Sequence, residues 1–291
     1  MKLRIGLSTC PNDTFAFHGL LSGASDRHGL DADFALLDIQ ELNERLVRGD
    51  LDVAKASFAQ ALSLGGSHGV LPVGAAIGFG IGPLLVAPPS RDAARASSRA
   101  GAKHDERPDE RSRVLSPGPG TTAFLLLRLL LPRATNVDHV RFDAILPAVA
   151  RGEADFGVVI HEGRFTYQQH GVRCVADLGE LWERRTRQPL PLGGLLARLD
   201  LGADVHRRVT AAVRASLDHA RAHRDDAFAT MRRHALELPA EAIWKHVELY
   251  VSDFTRELGL AGAAALVAFE RAARESGLVE RGLPPLAILR A

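Results

Sequence analysis

His161 follows directly on an apolar run, Phe156–Ile160, and opens the stretch His161-Glu162-Gly163-Arg164-Phe165-Thr166-Tyr167. An imidazole at a strand end can transfer protons near neutrality, since its ordinary pKa is about 6.5. The plain alternative is a structural histidine satisfied by its neighbours. Three further segments place polar groups where a strand ends or a helix begins, which is where open α/β sheets take ligands. In Ser8-Thr9-Cys10-Pro11-Asn12-Asp13-Thr14-Phe15, Asn12 or Asp13 either caps the next helix or sits beside free amides that meet an anion. Lys55-Ala56-Ser57 closes an apolar strand, and a lysine there is costly to bury unless paired, which favours a binding role. Ser116-Pro117-Gly118-Pro119-Gly120-Thr121-Thr122 precedes the apolar run Ala123–Leu131. The hydroxyls of Thr121 and Thr122, with the first helix amides, form either a carboxylate or phosphate cradle or an ordinary capped turn.

Other chemistries are not supported. The chain has no GxxxxGK[ST] or GxSxG motif, and Gly78-Phe79-Gly80-Ile81-Gly82 lacks the spacing of a dinucleotide fingerprint. His161-Glu162 starts like a zinc-protease HExxH, but position 165 is Phe, and His219 and His223 have no evident third ligand. No metal and no cofactor are expected. Cys10 and Cys174 form no CxxC, and both read as structural residues, Cys174 as a buried filler. Thirty-six Lys and Arg against thirty-five Asp and Glu leave a net charge of +1, which gathers neither nucleic acid nor anionic membrane. The first residues lack an export-type apolar core, and no apolar run approaches the ~18 residues of a membrane span. The expectation is a cytoplasmic enzyme whose partner is a small carboxylate-bearing substrate, with a homodimer left open.

The elements that would position these groups alternate between short apolar runs and helices, which predicts parallel sheets of the βαβ kind. Strands are expected at Leu3–Ser8, Ala32–Leu37, Asp52–Ser57, Leu71–Ile77, Pro83–Ala87, Val114–Ser116, His139–Phe142, Ala154–Ile160, Val172–Val175 and Gly193–Arg198. Helices Ile39–Arg48 and Ala144–Arg151 each run into Arg-Gly-acid and a new strand, a supersecondary unit repeated in two lobes. After about Leu201 only helices are expected, one with Val205, Val209, Val213 and Leu217 on one face and another over Leu260–Ala273. The division predicted is lobe one from 1–87 and 199–291, lobe two from 114–198, and a polar crossover insertion at 88–113 that is mobile and plays no part in chemistry.

Taken together, Cys10-Pro11-Asn12-Asp13-Thr14-Phe15, Lys55-Ala56-Ser57, Gly78 to Pro83, Thr121-Thr122-Ala123, Ile145-Leu146-Pro147, His161 to Tyr167 and Leu190-Pro191-Leu192-Gly193 resemble the 1,4-dihydroxy-6-naphthoate synthase family of the futalosine route to menaquinone. The pairing of the His161 to Tyr167 stretch with Leu190 to Gly193 is the most specific part. The resemblance implies a two-lobed α/β fold of the type II periplasmic-binding-protein kind with a central ligand cleft. It also implies a lyase without metal or organic cofactor, acting on cyclic dehypoxanthinyl futalosine. Carried over by position, Lys55, Ala56, Ser57, Thr121 and Thr122 would touch substrate, with Asn12 and Asp13 beside them, and His161 would be the proton acceptor. The insertion at 88–113 is longer than expected for the family but touches none of these motifs. Two rival readings are chorismate dehydratase of the same pathway, against which the His161 to Tyr167 stretch argues, and a solute-binding protein that holds a ligand without turnover.

Overall fold

The structure, a computed structural model, describes residues 2–89, 107–235 and 238–290. It divides into a larger unit, Met1–Ile81 with Gly120–Thr122 and Thr186–Ala291, and a smaller unit, Gly82–Pro119 with Ala123–Arg185. Numbered along the chain, the larger unit carries β1 (Leu3–Ser8), β2 (Ala32–Leu37), β3 (Val53–Ser57), β4 (His68–Val70), β5 (Ala76–Gly78), β11 (Leu190–Arg198) and β12 (Ala287–Ile288). The smaller carries β6 (Leu84–Ala87), β7 (Val114–Ser116), β8 (Val137–His139), β9 (Phe156–Val159) and β10 (Arg173–Asp177).

In the larger unit the sheet order is β12-β4-β11-β3-β1-β2, with β5 also paired to β11. All five residues of β3 are buried, which explains why its sequence is apolar on both faces and why its lysine stands out. Leu3, Ile5, Leu7, Phe15, Phe17, Val53, Leu195 and the helix residues Val209, Val213 and Leu217 share one core. In the smaller unit the order is β10-β6-β9-β7-β8. Its core joins Leu84, Val86, Leu115 and Val159 to Ile145, Leu146 and Val149 of helix Phe142–Ala150.

The repeated Arg-Gly-acid unit has a clear physical basis. Helices Ile39–Val47 and Phe142–Ala150 both end with a left-handed glycine, Gly49 at φ 76° and Gly152 at φ 74°. In each, the glycine N–H and the next N–H turn back to the helix carbonyls, Gly49 to Leu46 and Asp50 to Arg45, Gly152 to Val149 and Glu153 to Ala148. A side chain at either glycine would strain this helix-ending turn. The first helix starts where Asp38 accepts the Gln40 N–H, a cap readable from sequence.

Several expectations need correction. The sheets are mixed: β1 runs parallel to β2 and β3, but β11 is antiparallel to β3, β4 and β5, and β6 is antiparallel to β9 and β10. The run Leu71–Ile77 is not one strand, because Pro72 lacks a donor and Gly74 adopts φ 73°; β4 ends just before it, and β5 takes in only its last two residues. His139 ends β8, and Phe142 already starts a helix. The C-terminal stretch is not helix alone, since β12 pairs with β4. Strand β11, counted above within 114–198, pairs in the larger unit's sheet. Cys174 is exposed rather than buried, and Cys10 is half-buried. Of the insertion at 88–113, residues 90–106 lie outside the described residues. No described helix is long and apolar enough to cross a membrane.

Candidate functional site

In the larger unit, parallel β1, β2 and β3 finish on one edge of the sheet, and antiparallel β11 begins there, with Gly193 opposite Ser57. That pairing explains the glycine in Leu190-Pro191-Leu192-Gly193: a Cβ at Gly193 would lie 2.6 Å from the Ala56 carbonyl oxygen. Leu192 then offers its carbonyl to the Thr122 hydroxyl at 2.7 Å, while the same hydroxyl accepts the Ala59 N–H at 3.2 Å. Asn43, on helix Ile39–Val47, reaches both Ser57 and the Gly120 carbonyl. Three motifs far apart in sequence, Lys55-Ala56-Ser57, Thr121-Thr122 and Leu190 to Gly193, thus share one edge.

Lys55 lies beneath that edge, and its charge is answered inside the unit. Its ammonium donates to Asp13 Oδ1 at 2.7 Å and to the Gly74 carbonyl at 2.9 Å, with the Lys55 and Asp13 side chains only 6% and 4% exposed. Removing one member of such a buried pair typically costs about 3–5 kcal/mol, because the other charge is left unanswered. Asn12 extends the chain: its Nδ2 donates to Asp13 Oδ1 at 2.9 Å, so its Oδ1 faces His246 Nε2 at 3.0 Å. A carboxylate only accepts, which fixes the amide orientation and puts the His246 proton on Nε2.

This arrangement revises three expectations. Neither Asn12 nor Asp13 caps the helix Pro11–Ala16; Cys10 holds the cap position, and the Asp13 and Thr14 N–H groups both go to its carbonyl. Those two amides are therefore committed rather than offered to an anion. Lys55 is paired, so its burial alone no longer argues for a ligand. The single proton of the Thr122 hydroxyl is already given to Leu192, so Thr122 has no hydroxyl proton to offer an anion. Both threonines are buried, as is Ala56.

In the smaller unit, β7, β9 and β10 finish at the edge where antiparallel β6 begins. His161 stands just past β9, half-buried, with φ 53°, a left-handed backbone uncommon for a residue with a side chain. Strain of this kind gathers at functional positions when surrounding structure holds it. Here the hold is visible on both sides. Gly163 N–H and Arg164 N–H bond back to the Ile160 and His161 carbonyls. Phe142, the first residue of its helix, meets the imidazole edge-on with centroids 5.1 Å apart. That helix lies close on β9, since a Cβ at Gly157 would sit 2.5 Å from Ile145 Cγ2.

Arg164 anchors this turn. Its guanidinium donates to the Gly82 carbonyl at 2.6 Å and to Asp177 Oδ2 at 2.7 Å, while Asp177 Oδ1 accepts the Gly179 and Glu180 N–H groups. The turn carrying His161 is thereby tied to the starts of β6 and of helix Leu178–Thr186. Sequence reading missed Asn43, His246, Phe142 and Asp177; only the strand-end position of Asp177 hinted at a role. Among the described residues, no group of three or more His, Cys, Asp or Glu side chains is placed to hold a metal ion.

Comparison with known proteins gives the family and the fold. Residues 3–275 match the profile of a family described as "Menaquinone biosynthesis". The chain is 40% identical over 284 residues to a protein named "1,4-dihydroxy-6-naphtoate synthase" from Thermus thermophilus, with 98% of each chain covered. A protein of the same name from Streptomyces coelicolor is 39% identical over 290 residues, covering 95% of this chain and 94% of that one. Among solved structures, a structural-genomics protein from Archaeoglobus fulgidus superposes with a TM-score of 0.85 at 29% identity, over 96% of this chain and 98% of that one. The periplasmic aliphatic sulphonate-binding protein of Escherichia coli gives 0.62 at 15% identity, over 100% and 94%. A Candida albicans protein described as having the generic periplasmic-binding-protein fold gives 0.64 at 13%, over 100% and 98%. The last two show the fold alone. From matches that span nearly the whole chain, this protein is an enzyme with a periplasmic-binding-protein-like fold and belongs to the menaquinone biosynthesis family of the 1,4-dihydroxy-6-naphthoate synthases.

Proposed function

We propose that this chain is a carbon–carbon lyase that converts cyclic dehypoxanthinyl futalosine to 1,4-dihydroxy-6-naphthoate in the cytoplasm, with His161 as general base. The observation that carries the reading is the placement of His161 past the end of β9, in a left-handed turn tied down by Arg164. The names of the relatives supply the product, 1,4-dihydroxy-6-naphthoate. In this reading Ser57, Ala56 and Thr121 contact the substrate, Thr121 through a substrate oxygen anion. Thr122 and the Lys55–Asp13–Asn12 chain hold those groups in position.

The chemistry asks little beyond a base. Removing a proton from a sugar hydroxyl while a carbon–carbon bond breaks in a retro-aldol sense releases a small sugar-derived fragment, and aromatisation to the dihydroxynaphthoate drives the step. No oxidant or reductant is needed to balance it. A positioned base typically contributes 10²–10⁴-fold to rate. The test is incubation of purified protein with cyclic dehypoxanthinyl futalosine and, in parallel, with chorismate, following products by absorbance and mass. Naphthoate from the first and no change in the second supports the reading. Dehydration of chorismate, or binding of the futalosine derivative without turnover, would replace it with one of the two rivals.

A further inference from the structure

Helix Ile39–Val47 buries three side chains, Leu42, Asn43 and Leu46, and the middle one is a primary amide with no exposed surface. An amide in that position destabilises the fold unless its hydrogen bonds are made. Asn43 makes three: its Oδ1 accepts the Ser57 N–H at 3.0 Å, and its Nδ2 donates to Ser57 Oγ at 3.3 Å and to the Gly120 carbonyl at 3.4 Å. The amide cannot be turned round, because a backbone N–H only donates and a carbonyl only accepts.

We propose that Asn43 is a positioning residue for substrate binding that sets the direction of the Ser57 hydroxyl and the placement of the Thr121 segment. Ser57 Oγ accepts from Asn43, so the one hydroxyl proton points elsewhere and is offered to an oxygen of the substrate. The neighbouring Thr122 hydroxyl is set the opposite way, its proton given to Leu192. Through Gly120 the same amide fixes the residue preceding Thr121. The inference rests on the reading of Ser57 as a substrate contact, and it adds the residue that makes that contact a donor.

The test compares Ser57→Ala, Asn43→Ala, the double variant and Asn43→Asp for KM and kcat with cyclic dehypoxanthinyl futalosine, each checked for native circular dichroism. Each alanine variant should raise KM by about 10-fold or more, the scale of one hydrogen bond to a charged group, while kcat stays within a few-fold. The double variant should be no worse than the poorer single one, since both remove the same donor. Asn43→Asp should bind poorly near pH 8, where its carboxylate draws the Ser57 proton to itself. It should recover as pH falls, because burial raises a carboxyl's pKa and the protonated acid again both donates and accepts. A merely structural role would give no such recovery. If Ser57→Ala raises KM and Asn43→Ala does not, or the two effects multiply, the inference fails while the reading of Ser57 stands. If Ser57→Ala leaves KM unchanged, the reading of Ser57 fails and the inference goes with it.

Discussion

At the scale of single residues, the bonds of the polar groups at the larger unit's sheet edge show which of them hold the structure. Thr121 and Thr122 look equivalent in sequence, yet the Thr122 hydroxyl joins Leu192 to Ala59. Thr122→Val should therefore lower stability by about 1–3 kcal/mol, read as a fall in the urea midpoint, and alter KM little. Thr121→Val should raise KM by about 10- to 100-fold. A raised KM in Thr122→Val with an unchanged KM in Thr121→Val would show that the anion contact has been given to the wrong threonine. Sequence could name the candidates here but could not sort them. Asn43 is the sharpest case, because an asparagine inside an amphipathic helix reads as a solvated residue until its burial is seen.

At the scale of elements, the strands with plain apolar runs were legible, and β1, β2 and β7 have the bounds their residues predict. What local pattern could not supply was strand direction. Parallel and antiparallel neighbours bury the same side chains, so the return of β11 beside β3 became visible only in the register that sets Gly193 against Ser57. Two-residue β12 carries too few side chains to leave a pattern at all. The motif at Leu190 to Gly193 was recognisable without this register, but its cause was not. Gly193→Ala would drive a methyl into the Ala56 carbonyl at 2.6 Å, where backbone rather than a pliant side chain must give way. The expected outcome is a loss of about 1–3 kcal/mol in urea unfolding together with a raised KM, since Ser57 moves with its strand. Wild-type values for both would show that the β3–β11 contact does not position the site.

At the scale of the whole molecule, two buried histidines make the fold acid-sensitive. Burial pushes the His18 and His68 imidazoles below the ordinary histidine range, and nearby His219, His223 and Arg233 press His18 further down against the opposing pull of Asp226. Between their folded values and about 6.5 the unfolded chain binds more protons, so stability rises with pH across that window and falls on acidification. Asp52 does not mask this, because its carboxyl, held low mainly by hydrogen bonds from Arg4, loses its contribution only in more acidic solution. The urea midpoint should drop between pH 7 and pH 5.5, and less so in His18→Gln; a flat profile would contradict it. The central claim joins fold, turn and chemistry at His161, and a replacement there must tolerate its left-handed backbone. Asparagine does so and cannot serve as the base. The decisive measurement is naphthoate formation from cyclic dehypoxanthinyl futalosine by the intact enzyme and by His161→Asn, over a range of substrate concentrations. The account predicts product from the wild-type protein and a kcat at least about 100-fold lower in the variant with KM nearly unchanged. Product formed by His161→Asn at the wild-type kcat, or a defect confined to KM, would contradict it.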